Sequence, residues 1–378
     1  MKKTFKYRIF PTKSQAKKLN GALDACHWLY NHFLEERKTA WEKEAKSVSR
    51  YDQVNSIPKL KKEYKFLNDA YSQCLQEVAV RLDLAFRAFF RRMKAGEKPG
   101  YPRFKSKSHY NSFTYPQSGF KLFEKTVKLS RIGDIKIKLH WPIQGTIKTC
   151  AVKCTPTGKW FVTFVCEVDY NPIEKPVEPA IGIDMGLESF ATLSNGEQIQ
   201  NPRFFKQEQK ALAKAQRKLS AQKKDSKARE KARKVVVRIH ERINWKRHDF
   251  VHQQARKLVN RFNTIVVENL SINDMRQGNF RSINRSIGDV AWGRFLNCVR
   301  YKAEWAGSHC IEINPAYTSQ TCSWCGNRHK LNLADRVYRC SVCGLSLNRD
   351  INAAINILRL GLQSLGSIPR SPRTCSGE

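Results

Sequence analysis

The sequence predicts a multidomain α/β protein, and three observations lead to this class. Strand patterns at residues 1–10 and 134–168 enclose a long helical segment. The segment YNPIEKPVEP, residues 170–179, is rich in proline and polar residues, as linkers are. After this linker, short apolar strands and helices follow one another as far as residue 363. This order is typical of α/β domains.

The first half is predicted to be a small β-barrel interrupted by a helical insertion. FKYRIF alternates apolar and basic residues, as a half-buried strand does. Thr12 with Gln15 fits a capping box, a second helix start is indicated at Ser56 and Pro58, and a third helix is expected over about 69–93. IKIKLHW and KWFVTFVCEV return to strand periodicity. We therefore expect the barrel at 1–10 and 97–169, and the helical insertion at 11–96.

The second half has the order of an α/β domain. IGIDMGLESFATLSNG predicts an antiparallel hairpin, TIVVENL and CIEINP predict short buried strands, and INAAINILRLGLQ predicts a closing helix. Residues 206–247 carry 16 Lys or Arg against 4 Asp or Glu, which indicates two long basic helices. This domain is expected at 180–314 and 348–363. The tail at 364–378 is rich in Ser, Pro and Arg and is predicted to be disordered.

The charge of the chain indicates a polyanionic partner. Lys and Arg total 69 against 33 Asp and Glu, which gives a formal charge of +36. Such an excess is the electrostatic signature of a nucleic-acid-binding protein, because each cation near a phosphate releases condensed counterions. An anionic membrane is the competing partner, but the sequence has no apolar run long enough to span a bilayer and no signal peptide at its start. The sequence predicts a soluble, intracellular protein.

Four of the twelve cysteines have the spacing of a metal site. Cys322, Cys325, Cys340 and Cys343 form CxxC, a gap of fourteen residues, and a second CxxC. Four thiolates at this spacing can close a tetrahedron around Zn²⁺, and a site filled by four protein ligands is structural. Two disulfides are the alternative, which a reducing compartment disfavours. We expect a zinc ribbon over residues 315–347.

Weaker candidates for metal binding lie elsewhere. Cys150 and Cys154 would share one face of a strand near Cys166, where buried core residues are the favoured interpretation. His248 and His252 are four residues apart on a predicted helix, but they lack the glutamate of an HExxH motif. We assign no site to either group.

Three carboxylates fall where α/β sheets place their active sites. Asp184 ends the strand IGID, Glu268 ends TIVVE, and Asp350 opens the last helix. Each alone has a structural explanation: a turn before Gly186, a solvated strand end, or a helix N-cap. Together, in a basic α/β chain, they predict a site for two divalent ions that act on a phosphodiester. Magnesium is the expected ion, because it prefers oxygen ligands.

These motifs, in this order, closely resemble the TnpB proteins encoded by small bacterial insertion sequences. The resemblance rests on GIDMGL, IVVENL, the four-cysteine ribbon and NRDINAAINI. It extends over nearly the whole chain and includes YRIFPTKSQ, GYPRFKSK, NWKRHDFVHQQARKLV and YTSQTCSWCG. Asn348 departs from the family pattern, since many relatives have an acid two residues before the catalytic aspartate.

The resemblance implies an RNA-guided DNA endonuclease. It implies a wedge barrel with a helical recognition insertion, followed by a RuvC-like nuclease of RNase H fold that carries the zinc ribbon. It assigns catalysis and Mg²⁺ binding to Asp184, Glu268 and Asp350, and Zn²⁺ binding to the four ribbon cysteines. It also implies a guide RNA made from the transposon end, a double-stranded DNA target with a short adjacent motif, and a monomeric ribonucleoprotein in the bacterial cytoplasm, associated with the nucleoid.

Three other functions remain open at this point. A DDE transposase also has an RNase H fold and two metal ions, but the order of the acids disfavours it. An RNA-guided DNA-binding repressor would result from loss of the catalytic acids, and all three are present. A zinc-ribbon nucleic-acid-binding protein that uses no guide would carry no specific RNA.

Overall fold

The computed structural model describes residues 1–271, 275, 280–332 and 335–366. The chain divides into two units, Met1–Asn171 and Pro172–Glu378. Residues 367–378, most of the predicted tail, lie outside the described residues, and Ser364 is the last residue of the final helix. Among the residues described, no helix has the length and apolar character needed to cross a membrane.

Unit 1 contains one seven-stranded antiparallel sheet. Its strands are β1 (Lys2–Phe10), β2 (Ser112–Tyr115), β3 (Phe120–Leu122), β4 (Thr126–Leu129), β5 (Gly133–Lys138), β6 (Thr146–Cys154) and β7 (Trp160–Glu167). They lie in the order β2-β6-β7-β1-β5-β4-β3. The predicted strand periodicity is confirmed: in β1, for example, Tyr7 and Ile9 are buried while the alternate residues Arg8 and Phe10 are exposed. β2 and β3 lie at opposite ends of this order, and closure into a barrel stays a prediction.

Three α-helices and one short 3-10 helix (Lys65–Asp69) separate β1 from β2 in unit 1. The α-helices are α1 (Lys13–Glu44), α2 (Arg50–Glu63) and α3 (Ser72–Lys94). The Thr12–Gln15 capping box is present at the start of α1, as predicted. The predicted second start at Ser56 and Pro58 is wrong. Ser49 caps α2 through a capping box with Asp52, with bonds of 3.2 and 2.9 Å, and Pro58 lies inside the helix.

Unit 2 contains a five-stranded mixed sheet. Its strands are β8 (Ala180–Asp184), β9 (Ser189–Leu193), β10 (Gln198–Gln200), β11 (Thr264–Glu268) and β12 (His309–Ile313). The order is β10-β9-β8-β11-β12; β8, β11 and β12 are parallel, and the hairpin strands β9 and β10 are antiparallel. β8, β9 and β11 are buried over nearly their whole length, as expected for strands that are covered on both faces.

Five helices and a small ribbon complete the described part of unit 2. The helices are α4 (Phe204–Ser220), α5 (Lys227–Arg261), α6 (Arg281–Val290), α7 (Trp292–Ala306) and α8 (Arg349–Ser364). α4 and α5 are the two long basic helices that the sequence predicts. The ribbon strands β13 (Val337–Arg339) and β14 (Ser346–Asn348) pair antiparallel just before α8.

Candidate active site

Two of the three predicted carboxylates lie at the same edge of the unit 2 sheet. β8 and β11 are parallel neighbours, with Ile183 opposite Val267. Asp184 and Glu268 are the next residues and the last of their strands. Because parallel strands present their carboxyl ends at one edge, this register brings the two acids level with each other.

The third carboxylate reaches this edge on helix α8. The Asn348 side chain caps α8, because its Oδ1 accepts bonds from the backbone N–H groups of Asp350 at 2.9 Å and Ile351 at 3.3 Å. Asp350 therefore lies in the first helical turn and does not act as the N-cap. Asn348 is therefore the N-cap of α8.

Close packing holds α8 against the sheet. A Cβ atom built on Gly182 of β8 would lie 2.2 Å from the carbonyl oxygen of Ala354, and one built on Gly361 of α8 would lie 2.4 Å from Val266. Glycine at these two positions allows backbone and side chain to approach more closely than any other residue would. The position of α8, and with it that of Asp350, depends on this contact.

All three predicted acids line one cavity of about 560 Å³. Its other walls include Trp292 and Met275, which are apolar, and Thr318, Arg336 and Arg349, which are polar or basic. Glu268 is buried, with 6% of its surface exposed, whereas Asp350 retains 23% of its side-chain surface. The acids that lie apart in the sequence are brought together in the fold.

The acid cluster is electrostatically strained without a cation. Burial, followed by the nearby Glu268 and Asp350 carboxylates, raises the pKa of Asp184 to about 8, against the opposing effect of Arg349. Burial also raises the pKa of Glu268, although a hydrogen bond from Thr318 opposes the shift. Like charges and burial both disfavour ionisation here, so a bound cation would stabilise the ionised cluster.

Four residues of this site were missed by the sequence interpretation. Thr318 Oγ1 donates to Glu268 Oε1 at 2.7 Å, and Arg349 Nε lies 3.7 Å from Asp350 Oδ1. Asn352 and Asn356 are fully buried on α8. The asparagines could have been found, because two amides four residues apart in an apolar helix require buried partners. Thr318 has no comparable signal in the sequence.

The four ribbon cysteines come together as predicted. Their Sγ atoms all lie within 4.8 Å of one another, and Cys322–Cys343 and Cys325–Cys340 are 3.6 and 3.5 Å apart. These two distances are close to the edge of about 3.8 Å that a tetrahedron with Zn–S bonds of about 2.3 Å requires. Gly326 and Gly344 follow the two knuckles with φ of 78° and 73°, which favours glycine.

Buried asparagines connect the ribbon to the helix of Asp350. Asn352 Oδ1 accepts a bond from the backbone of Ser323 at 2.9 Å, and its Nδ2 donates to the carbonyl of Thr321 at 2.8 Å. Asn356 Nδ2 donates to the carbonyls of Thr318 and Thr321 at 2.9 and 2.6 Å. The first knuckle, the residue that orients Glu268, and α8 therefore form one hydrogen-bonded assembly.

The weaker metal candidates do not form such a site. Within the described residues, the four ribbon thiols are the one group of three or more His, Cys, Asp or Glu ligands held this closely. Cys150 and Cys166 are buried in strands β6 and β7, and the rings of His248 and His252 stack at 4.1 Å.

Comparison with known families matches three segments of the chain. Residues 163–279 match a family described as "Probable transposase", 292–357 match "Cas12f1-like, TNB domain", and 1–46 match "Helix-turn-helix domain". In the structure, residues 1–46 consist mainly of strand β1 and the single helix α1. The second match spans α7, β12, the ribbon segment 315–347 and the first half of α8.

Whole-length relatives agree with these matches. A "Putative RNA-guided DNA endonuclease" of Streptomyces pristinaespiralis is 35% identical over 370 residues, which cover 96% of this chain and 90% of the relative. The "Putative RNA-guided DNA endonuclease InsQ" of Escherichia coli K12 is 30% identical and covers 94% and 92%. At this identity and coverage, the chain belongs to the TnpB family of insertion-sequence proteins.

Proposed function

We propose that this protein is an RNA-guided DNA endonuclease that cleaves target DNA at the cavity of Asp184, Glu268 and Asp350. The observation that carries the proposal is that these carboxylates line one cavity in a chain of formal charge +36. A cationic surface attracts nucleic acid, while a concentration of acids at one point of it is unfavourable unless cations bind there. The whole-length relatives named as RNA-guided endonucleases support the guided mode.

The order of the unit 2 sheet supports a RuvC-like nuclease of RNase H fold. In chain order, the antiparallel strands β8, β9 and β10 are followed by β11 and β12, which run parallel to β8, and the acids end β8 and β11. In our proposal, residues 180–314 and 348–363 are the nuclease and 315–347 the ribbon. Residues 1–10 and 97–169 are the wedge barrel, and 11–96 are the recognition insertion.

The acid cluster fits divalent cations with oxygen ligands. Asp184, Glu268 and Asp350 would hold Mg²⁺, and two such ions supply stabilisation of the attacking and leaving oxygens of a phosphodiester. Thr318 orients Glu268 by donating to its Oε1 at 2.7 Å. The guanidinium of Arg349 lies beside Asp350 at 3.7 Å, where it can attract a DNA phosphate.

The ribbon cysteines fit Zn²⁺, and their role is structural. Four thiol ligands leave no open position for a reacting water. The hydrogen bonds from Asn352 and Asn356 to the ribbon segment would transmit its rigidity to α8 and to Thr318. Zinc in this proposal fixes the position of the active site and takes no part in hydrolysis.

The charge distribution suits recognition of backbones rather than sequence. Lys and Arg contacts to phosphates fix position without reading bases. Target choice would come from base pairing with the guide RNA, as in other RNA-guided nucleases. The exposed basic surfaces of α4 and α5, within residues 206–247, are candidates for such contacts.

Plasmid cleavage by the protein with its own RNA tests the proposal. RNA that co-purifies is sequenced to identify the guide, and plasmids carrying the guide match and a randomised adjacent segment are then incubated with protein and Mg²⁺. We expect cleavage, and a loss of at least about 10³-fold in Asp184→Ala, Glu268→Ala or Asp350→Ala with target binding retained. Asp249→Ala, an exposed acid on α5, is the matched control.

Each alternative outcome identifies a different function. Target binding by the wild type without any nick would indicate a guided repressor. Joining of transposon ends to DNA would indicate a transposase. A protein that carries no specific RNA would be an unguided nucleic-acid-binding protein.

A further inference from the structure

Unit 1 contains a second cavity, of about 620 Å³, whose lining is unusually aromatic. It lies among α1, the start of α2, α3 and the segment that follows α3. Six aromatic side chains line it: Trp41, Tyr51, Phe86, Phe89, Phe90 and Tyr101. Trp41 and Tyr51 are 64% and 68% exposed. Large aromatic surfaces left open to solvent beside a cavity are a feature of ligand sites.

The aromatic rings around Tyr101 pack against one another and form one wall of the cavity. Tyr101 packs edge-on against Phe86 and Phe89, with centroid distances of 5.6 and 5.5 Å. Phe90 continues this wall at 5.2 Å from Phe89. Such ring pairs stabilise one another beyond the area that they bury. The wall therefore presents a defined apolar surface against which a flat ligand can lie.

The cavity is also positively charged. Arg37, Lys46, Arg50 and Arg87 line it, together with the single acid Asp83. Asp83 is neutralised by Arg87 at 2.8 Å and by Arg37 at 3.6 Å. The Arg50 guanidinium lies 4.7 Å from the centre of the Tyr51 ring. An anionic group on the ligand is favoured, and a second copy of this +36 chain is not.

Arg37 carries an unsatisfied donor at this cavity. Its side chain is only 10% exposed; Nε donates to Gln53 Oε1 at 2.9 Å, and Nη1 faces Asp83. Its Nη2 is buried and has no hydrogen-bond partner. A buried donor without a partner is costly, and an apolar occupant would leave it so. Because Nη2 is buried, an acceptor oxygen or nitrogen on a ligand would reach it once the Arg37 side chain turns toward the cavity.

We propose that this cavity binds one unpaired nucleobase of the bound nucleic acid. The base would lie against the aromatic side chains, accept a hydrogen bond from Arg37 Nη2 at its edge, and leave its phosphate near Lys46 and Arg50. This inference rests on the proposed function, since it requires that the protein carry RNA or DNA. Flat aromatic heterocycles with acceptor edges and an attached anion satisfy all three features of the cavity.

Photo-crosslinking of the full-length complex tests the site. Protein with its co-purified RNA, with and without target DNA, is irradiated, digested with protease and nucleases, and analysed by mass spectrometry. We expect mononucleotide adducts on Trp41, Tyr51 or Tyr101. A ribonucleotide mass assigns the base to RNA, and a deoxyribonucleotide mass assigns it to DNA.

Variants distinguish a specific base-binding site from nonspecific crosslinking to exposed aromatic side chains. Trp41→Ala and Arg37→Lys should each lower the adduct yield at the remaining aromatics roughly tenfold, the loss expected for one stacked base or its hydrogen bond. Trp141→Ala is the matched control, because Trp141 is 68% exposed in the same unit and lies outside this cavity. Its yield should equal that of the wild type.

Several results would overturn the inference. Complexes that give adducts elsewhere but none here would exclude the base site while leaving guided cleavage intact. Self-association of the RNA-free protein that Trp41→Ala abolishes would show that the aromatic surface docks protein instead. A protein that binds neither RNA nor DNA would remove the proposed function and this site together.

Discussion

The interiors of the two units differ in polarity. Unit 1 packs its helices and sheet around one apolar core, and Gln53 is its single fully buried polar residue apart from tyrosines. Unit 2 buries eight polar residues among those described: Ser189, Thr192, Thr264, Glu268, Ser308, Thr318, Asn352 and Asn356. Buried polar groups cost stability unless they are hydrogen-bonded. Unit 2 therefore carries the larger cost of polar burial, and we attribute this cost to its active site.

The buried polar residues of unit 2 include one continuous network. Ser323 and Thr321 bond to Asn352, Thr318 and Thr321 bond to Asn356, and Thr318 bonds to Glu268. Gln53 of unit 1 instead holds α2 to α1, by donating to the Phe33 carbonyl at 2.9 Å. The first arrangement positions a carboxylate, whereas the second only joins two helices. Perturbing the network should therefore affect cleavage more than perturbing unit 1.

Loss of zinc should have the largest effect on cleavage, and it should destabilise unit 2 while leaving unit 1 unchanged. Structural zinc contributes about 10–16 kcal/mol in small ribbons, so chelation or Cys322→Ser should unfold residues 320–348. Because α8 then loses its ribbon contacts, cleavage should fall more than roughly a hundredfold. Hydrogen exchange measured peptide by peptide should speed up in the ribbon and α8 and stay unchanged in unit 1. Unchanged exchange in α8 would contradict the proposed coupling.

Gly182→Ala should have the next largest effect. The new methyl group would lie 2.2 Å from the Ala354 carbonyl oxygen, so α8 must move away from the sheet. Overpacking of this kind costs about 1–3 kcal/mol, and the shift of Asp350 should lower cleavage at least about tenfold. Gly21→Ala on α1 is the unit 1 counterpart, since its methyl group meets only the end of the Asp69 side chain at 2.9 Å. Thermal unfolding and plasmid cleavage of both variants test the contrast.

Sequence reasoning located the acids but not what orients them. Asp184 and Glu268 end apolar strands, and this local pattern was enough to place them at one sheet edge. Thr318 lies 50 residues from Glu268, and nothing in its neighbours indicates that contact. Contacts of this kind arise from tertiary packing, which local periodicity does not encode.

Prediction of the fold has the same limit, because local patterns do not encode tertiary packing. α1 and β7 were predicted from periodicity, and α4 and α5 from the basic charge of residues 206–247. The start of α2 was misplaced because Pro58 is a strong helix-start signal, yet the Ser49–Asp52 capping box outweighs it. The order of seven strands in unit 1 depends on long-range pairing, such as β1 between β5 and β7, which the sequence does not reveal.

Thr318→Val should have a smaller effect, confined to activity. Valine has nearly the shape of threonine but removes the donor to Glu268 Oε1. We expect cleavage to fall roughly tenfold, because Glu268 loses its orientation, with stability changed by about 1 kcal/mol. Thr318→Ser keeps the hydroxyl and should retain most activity. Equal losses in both variants would indicate that packing of the methyl group matters and the hydrogen bond does not.

The smallest effect on cleavage should be a pH dependence carried by Asp184. In the metal-free protein its pKa is about 8, above the value near 3.9 of an unfolded chain. Between these values the folded state binds more protons than the unfolded state, so metal-free unit 2 should lose stability as pH rises from about 4 to about 8. Because Mg²⁺ competes with that proton, the Mg²⁺ concentration for half-maximal cleavage should fall as pH rises from 7 to about 8, then level off. Thermal unfolding with and without Mg²⁺ measures the linkage, and a metal requirement that does not change over this range would show that Asp184 is already ionised at pH 7.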